Sequence, residues 1–182
     1  MLETDEENSQ PLTGIRVLDL SDDLGVYCGK LLADVGADVI KVEPPGGDAM
    51  RGTGPFIESA ETPENSLYWW HYNTNKRSIT LDITSDSGIV LLQSLAATAD
   101  VVLESFQPGY LSLLGLGYEH LSESNMGLVY ASLTPFGQTG PYRDYKGSDL
   151  VGFAMGGYMY VTGWPDTPPN KLWGLQANQT TS

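Results

Sequence analysis

Positive charge is scarce in this sequence. Nine lysines and arginines stand against 23 aspartates and glutamates, for a formal net charge of −14 over 182 residues. A generic nucleic-acid-binding surface needs clustered basic residues, so that class is disfavoured, and the acid excess is read as solubility. Cysteine is rarer still. Cys28 cannot form an internal disulfide, which suits a reducing compartment and makes the cytoplasm the expected location. No apolar run approaches the roughly 20 residues needed to cross a bilayer, so no membrane span is expected. The first ten residues carry Glu3, Asp5, Glu6 and Glu7 and no basic residue, the opposite of a secretory or mitochondrial leader. Residues 1–10 therefore read as an acidic disordered tail ahead of one unit, residues 11–182. His71 and His120 are isolated, and with one cysteine they give no metal-ligand spacing, so neither a metal nor a tightly bound cofactor is expected. There is no Gly-x-Gly-x-x-Gly after the first strand, no phosphate loop ending in Gly-Lys-Ser/Thr and no Gly-x-Ser-x-Gly elbow.

What is present alternates between strand and helix patterns. Ile15 to Leu20 is a β-rich run, and Tyr27 to Val35 reads as a helix with Tyr27, Leu31 and Val35 on its inward face and Cys28 and Leu32 beside them. Gly36 stops that helix. Further strands are expected over Asp38–Glu43, Ser78–Ile83, Val101–Ser105 and Leu128–Leu133. A helix opens at Ser85 and runs to about Ala97, with shorter ones near Tyr110–Leu114, Tyr118–Glu123 and Asp149–Met155. Repeated β-α-β units imply an α/β fold with a mostly parallel sheet covered by helices, because parallel strands need crossovers. Ligands bind such sheets beyond the carboxyl ends of the strands, so the segments at Ser21–Gly25, Glu43–Arg51, Glu104–Gly109 and Thr134–Pro141 are the ones to search. The glycine- and proline-rich stretch from Pro44 to about Glu64 is long for a loop in a compact domain. From Thr162 to Ser182 no element is expected, and the fold reads as incomplete at its C-terminal end.

Two local patterns stay open at this level. Asn73-Thr74-Asn75-Lys76-Arg77-Ser78 sets two adjacent cations among amides before a strand, which suits a phosphate as well as it suits a solvated pair. Gly46-Gly47-Asp48-x-x-Arg51 is either a turn ordered by an Asp–Arg pair or the wall of a ligand cleft.

In order along the chain, the motifs become specific. They are Leu-Leu-Ala-Asp-Val-Gly-Ala-Asp-Val-Ile-Lys-Val-Glu-Pro (31–44), Gly-Gly-Asp…Arg, Asn-Lys-Arg-Ser (75–78) and Leu-Asp-Ile (81–83). With Ala-Asp-Val-Val-Leu-Glu-Ser-Phe-Gln-Pro-Gly (99–109), Leu-Gly-Leu-Gly-Tyr (114–118) and Phe-Gly-Gln-Thr-Gly-Pro (136–141), the sequence from about Pro11 onward resembles the family III CoA-transferases. That group spans formyl-CoA and carnitine-CoA transferases and the α-methylacyl-CoA racemases. The resemblance implies a Rossmann-like domain forming the N-terminal part of a chain about twice this length. Whole members pair as interlocked homodimers; a second family-like domain is the other partner it allows. The implied substrates are an acyl-CoA and a carboxylic acid. Coenzyme A contacts are implied at Asn75, Lys76 and Arg77, at Glu104, Ser105 and Phe106, and at Lys146.

The family's reaction uses one aspartate as nucleophile, and counting from Pro168-Pro169 that position is Asn178 here. An amide has no anionic oxygen with which to form the acyl anhydride. Other departures accompany it. The family's Ala-Gly-Pro after the first strand is replaced by a shorter loop containing Asp22 and Asp23, and its arginine before Leu-Gly-Leu-Gly is Leu113. Ser148 stands where the racemases keep a histidine. Two readings follow: CoA transfer by a variant site, or a non-catalytic degenerate half or partner subunit.

Overall fold

The fold is described here from a computed structural model, over residues 10–57 and 62–181. Except for Gln10, the expected acidic tail lies outside the described residues. Five strands, β1 (Arg16–Leu20), β2 (Asp38–Glu43), β3 (Arg77–Thr80), β4 (Val101–Glu104) and β5 (Val129–Ser132), form one sheet in the order β3-β2-β1-β4-β5. Every pairing is parallel. Eight helices lie among the described residues: α1 (Val26–Asp34), α2 (Leu67–Asn73), α3 (Asp86–Ala96), α4 (Tyr110–Leu113), α5 (Tyr118–Ser124), α6 (Asp149–Met155), α7 (Tyr158–Val161) and α8 (Gln176–Thr181). The expected α/β architecture is what the chain adopts. None of these helices is long and apolar enough to cross a membrane.

Because side chains alternate along a strand, each strand feeds two cores. Leu18, Leu20, Ile40, Val42 and Val102 pack with Leu92, Ala96, Leu111, Leu116 and Leu121, so α3, α4 and α5 cover one face. Val17, Val39 and Leu103 pack with Ala33 and Ala37, so α1 covers the other. The order of the strands reverses between β1 and β4, and the crevice beyond their carboxyl ends is the topological switch point.

The predicted inward face of α1 is corrected by the structure. Leu31 and Val35 are 45% and 41% exposed, and the buried positions are Val26, Gly29 and Ala33. Size decides this. A Cβ on Gly29 would sit 2.4 Å from the Asp19 carboxylate and 3.0 Å from the Lys76 ammonium, so the helix is drawn in on its small residues and the larger ones flank the contact. The start and stop signals hold: Ser85 caps α3 by accepting the Gly88 N–H at 3.1 Å, and Gly36 takes a φ of 103° after α1. The sequence patterns did not anticipate α2, whose Leu-Tyr-Trp-Trp-His-Tyr-Asn carries no apolar–polar period; Ser66 caps it, accepting the Trp69 N–H at 3.0 Å. They did not anticipate α7 or α8 either.

Candidate active site at the carboxyl edge

Beneath the switch point runs a chain of buried charges. Asp19 and Lys41 are register partners on β1 and β2, pointing to the same face. Lys41 is 1% exposed; its ammonium donates to the Ser21 carbonyl and lies 3.7 Å from Asp19 and 3.3 Å from Asp48. Lys76, also 1% exposed at its side chain, donates to Asp19 Oδ2 at 2.8 Å and to the Val26 carbonyl at 2.9 Å. Burial alone would push the Asp19 carboxyl up, but Lys41 and Lys76, with the Lys76 and Ser21 hydrogen bonds, outweigh it and hold it below the ordinary carboxylate range. The network fixes the loop after β1 from below.

Above it, a cavity of about 320 Å³ opens at the ends of β1 and β2, with Leu20, Val42, Pro44, Leu81, Ile83 and Phe106 among its walls. Phe106 stacks on Tyr110, centroids 5.2 Å apart at 26°, and gives the cavity a flat aromatic face. Asp22 and Asp48 supply polar edges. The Gly46-Gly47-Asp48-x-x-Arg51 segment both orders itself and lines this space. Gly46 and Gly47 take φ values of 95° and 90°, and Asp48 Oδ1 accepts the Met50 N–H at 2.8 Å. The Arg51 guanidinium pairs with Glu43, at 2.7 and 2.8 Å, and with Glu64 at 3.5 Å, and not with the Asp48 carboxylate.

The structure gathers some of the expected site residues and separates others. Glu104, Ser105 and Phe106 end β4 at the crevice. Ser105 Oγ is 2.7 Å from both the Asp22 N–H, which donates to it, and Asp22 Oδ1, to which it donates. Glu104 accepts the Phe106 N–H at 2.7 Å, and burial pushes its carboxyl up. Lys146 is exposed on the loop after β5 and enters no ion pair among the described residues, whereas the other eight Lys and Arg side chains do. Asn75 and Arg77 lie before and at the amino end of β3. Asn75 donates to Asp34 at 2.9 Å, and Arg77 grips Asp38 at 2.6 Å.

Asn178 reaches the switch point from α8. Asp149 Oδ1 accepts the backbone N–H groups of Ala177 and Asn178 at 2.8 and 3.3 Å, which pins the start of α8 to α6. The Asn178 amide then donates to Asp23 Oδ2 at 3.3 Å. The sequence reading missed Asp19, Lys41 and Asp23 as site groups. The signal for the first two was present: a charged residue at an inward position of two buried parallel strands needs a partner, and these two face each other.

The ordered motifs have their counterparts in known proteins. Residues 12–175 match the profile of CoA-transferase family III. The chain belongs to that family. It is 47% identical over 165 residues to the succinyl-CoA–D-citramalate CoA-transferase of Chloroflexus aurantiacus, covering 90% of this chain and 40% of that protein. To the human succinyl-CoA:glutarate CoA-transferase it is 42% identical, covering 88% of this chain and 36% of that protein. Among solved structures, a CAIB/BAIF family protein from Brucella suis superimposes with a TM-score of 0.87 at 43% identity, over 93% of this chain and 45% of that one. The chain thus spans less than half the length of these family III relatives.

Proposed function

We propose that the crevice at the ends of β1, β2 and β4 holds coenzyme A, and that the protein moves CoA between an acyl thioester and a carboxylic acid. The observation that carries this reading is the apolar cavity at the switch point, with the Phe106–Tyr110 stack on its wall, in a chain whose relatives are CoA-transferases. A stacked aromatic wall suits a planar base such as adenine. Lys146, which pairs with no carboxylate among the described residues, is the cation for the phosphates, and Glu104 and Ser105 set the crevice floor. Lys76 serves from beneath: its ammonium is held by Asp19, so it positions the β1 loop. Asn75 and Arg77, engaged with Asp34 and Asp38, are assigned to the fold.

The chemistry of this reading is acyl transfer through an enzyme carboxylate. A carboxylate attacks the thioester carbonyl, the C–S bond breaks, and CoA thiolate leaves a mixed anhydride. The thiolate returns to the enzyme acyl carbon, releasing the donor acid and leaving an enzyme–CoA thioester that the acceptor carboxylate opens. CoA is a substrate throughout. The interlocked homodimer, and the cytoplasmic setting suggested by the free thiol of Cys28, belong to the same proposal. A second reading, a non-catalytic half that shapes an active partner domain, is favoured by one observation: position 178 presents an amide.

Calorimetric titration with free CoA at low and moderate salt tests the site. The expected result is salt-sensitive binding that Phe106→Ala weakens by about tenfold, the loss of one base–aromatic stack, and that Lys146→Ala makes less dependent on salt. Absence of binding by the folded protein would overturn the CoA site.

A further inference from the structure

The nucleophile position of this chain is an amide, but the amide is not alone. Its Nδ2 donates to the carboxylate of Asp23 at 3.3 Å, across 155 residues of sequence. Asp23 lies on the loop after β1 at the switch point, next in the chain to Asp22, which lines the cavity. By the resemblance read from the sequence it also stands in the loop that replaces the family's Ala-Gly-Pro, and there its carboxylate meets the amide at 178.

We infer that Asp23 is the catalytic nucleophile of this protein, with Asn178 as the residue that orients it. The inference rests on the CoA-transfer reading above.

The geometry suits the exchange of roles. Asp22 is held by Ser105 and by the Leu24 N–H, which it accepts at 2.9 Å, and this turn fixes the backbone on which Asp23 stands. Asn178 is fixed in turn by Asp149. One Asp23 oxygen, Oδ2, accepts from the Asn178 amide, and we take Oδ1 as the attacking atom. Burial, and after it the neighbouring Asp22 charge, pushes the Asp23 carboxyl up from its ordinary value, while hydrogen bonds from its own backbone N–H and then from Asn178 offset part of the rise. A more basic, partly desolvated carboxylate is the better nucleophile. The Tyr68 hydroxyl, raised to about 12 chiefly by burial, with Tyr72, Asp23 and Asp149 adding, stays neutral beside it.

The steps balance with no added reagent. Asp23 Oδ1 bonds to the acyl carbon of R–CO–S–CoA, the C–S bond breaks, and CoA–S⁻ leaves R–CO–O–CO–Asp23. The thiolate attacks the Asp23 carbonyl carbon, R–COO⁻ departs, and the aspartyl-CoA thioester remains. An acceptor R′–COO⁻ displaces CoA–S⁻ to form R′–CO–O–CO–Asp23. The thiolate then takes the R′ acyl group and restores the Asp23 carboxylate.

The test is to incubate the full-length protein with succinyl-CoA, quench with hydroxylamine or borohydride, and map the modified residue by peptide mass spectrometry. The expected product is the hydroxamate, or the reduced homoserine, at position 23. Asp23→Asn should lose this label and at least about 10³-fold of CoA exchange. The double variant Asp23→Asn/Asn178→Asp, which returns the carboxylate to helix α8, should recover exchange and move the label to position 178. CoA bound with no label at Asp23, or exchange unchanged in Asp23→Asn, would overturn the nucleophile while leaving the CoA site standing. Failure of the folded protein to bind CoA in the accompanying titration would overturn both.

Discussion

The lysine that the family resemblance sets against coenzyme A has a side chain only 1% exposed, and that has consequences for one side chain at a time. Lys76 supports a carboxylate that has no access to water: Asp19 is fully buried and draws on Lys76 at 2.8 Å and Lys41 at 3.7 Å. Removing one partner of a buried pair leaves an uncompensated charge, whereas removing both is close to neutral. Lys76→Met should therefore cost about 3–5 kcal/mol of unfolding free energy. Adding Asp19→Asn should recover most of that loss. Urea denaturation of the single and double variants checks this, and the coupling between the two sites is the quantity to extract. CoA affinity separates this role from direct phosphate contact. If the folded fraction of Lys76→Met binds CoA normally the lysine is a positioning residue, and if it binds none the ammonium reaches the ligand.

At the scale of elements, what was legible followed from period and caps. Strands β1, β2 and β4 announced themselves as apolar runs because both of their faces are buried, and α3 did so through Ser85 and its 3.6-residue pattern. The inward face of α1 was misread because large side chains were taken as the packing surface. The contact is made by Gly29 over Asp19 and by Ala33 against Val17, Val39 and Leu103, and neither neighbour is visible in the helix's own sequence. Helix α2 was invisible because tyrosines and tryptophans occupy both faces, so no hydrophobic period exists. The crevice was located from the alternation of elements alone, but Asn178 and Asp23, 155 residues apart, met only in three dimensions.

The loop after β2 is an element held by one carboxylate. Hydrogen bonds from Arg51, Ser78 and the Asp48 N–H outweigh the cost of burying Glu43 and lower it from 4.5 to about 2. A depressed carboxyl contributes stability that is present above its unfolded value and lost as pH falls through the folded one. The Glu43 contribution should thus be intact above about pH 4.5 and gone by about pH 2. Because lowering the pH acts on other groups as well, the diagnostic quantity is the difference from Glu43→Gln, whose stability should fall less steeply between those limits. Equal slopes for the two proteins would mean that Glu43 is not what holds the loop.

Across the whole molecule, the sheet region and the segment from α6 onward differ in how they meet water. Large apolar side chains are exposed in places around the sheet, Leu113 and Met126 among them, but from α6 onward Phe153 alone of the large apolar residues is buried among the described residues. Leu150, Tyr158, Val161, Trp164 and Trp173 are 51%, 59%, 76%, 81% and 92% exposed. So many large apolar side chains exposed within one segment mark a surface that another surface covers. The chain spans 40% of its Chloroflexus relative and 36% of the human one, so in proteins of that length there is ample further chain, or a second copy, to cover it. Residues 1–182 on their own should then self-associate despite a net charge of −14, and do so more strongly as salt screens that charge. Sedimentation velocity over a range of protein and salt concentrations measures this. Trp164→Glu/Trp173→Glu should shift the distribution toward monomer without altering the far-ultraviolet circular dichroism, because neither ring contributes to the sheet's two cores. Tryptophan emission supplies the second arm: acrylamide should quench Trp164 and Trp173 readily in residues 1–182 and poorly in a protein of the relatives' full length. Equal quenching in the two would mean that this face stays open to solvent, and the interlocked pairing would lose its structural support.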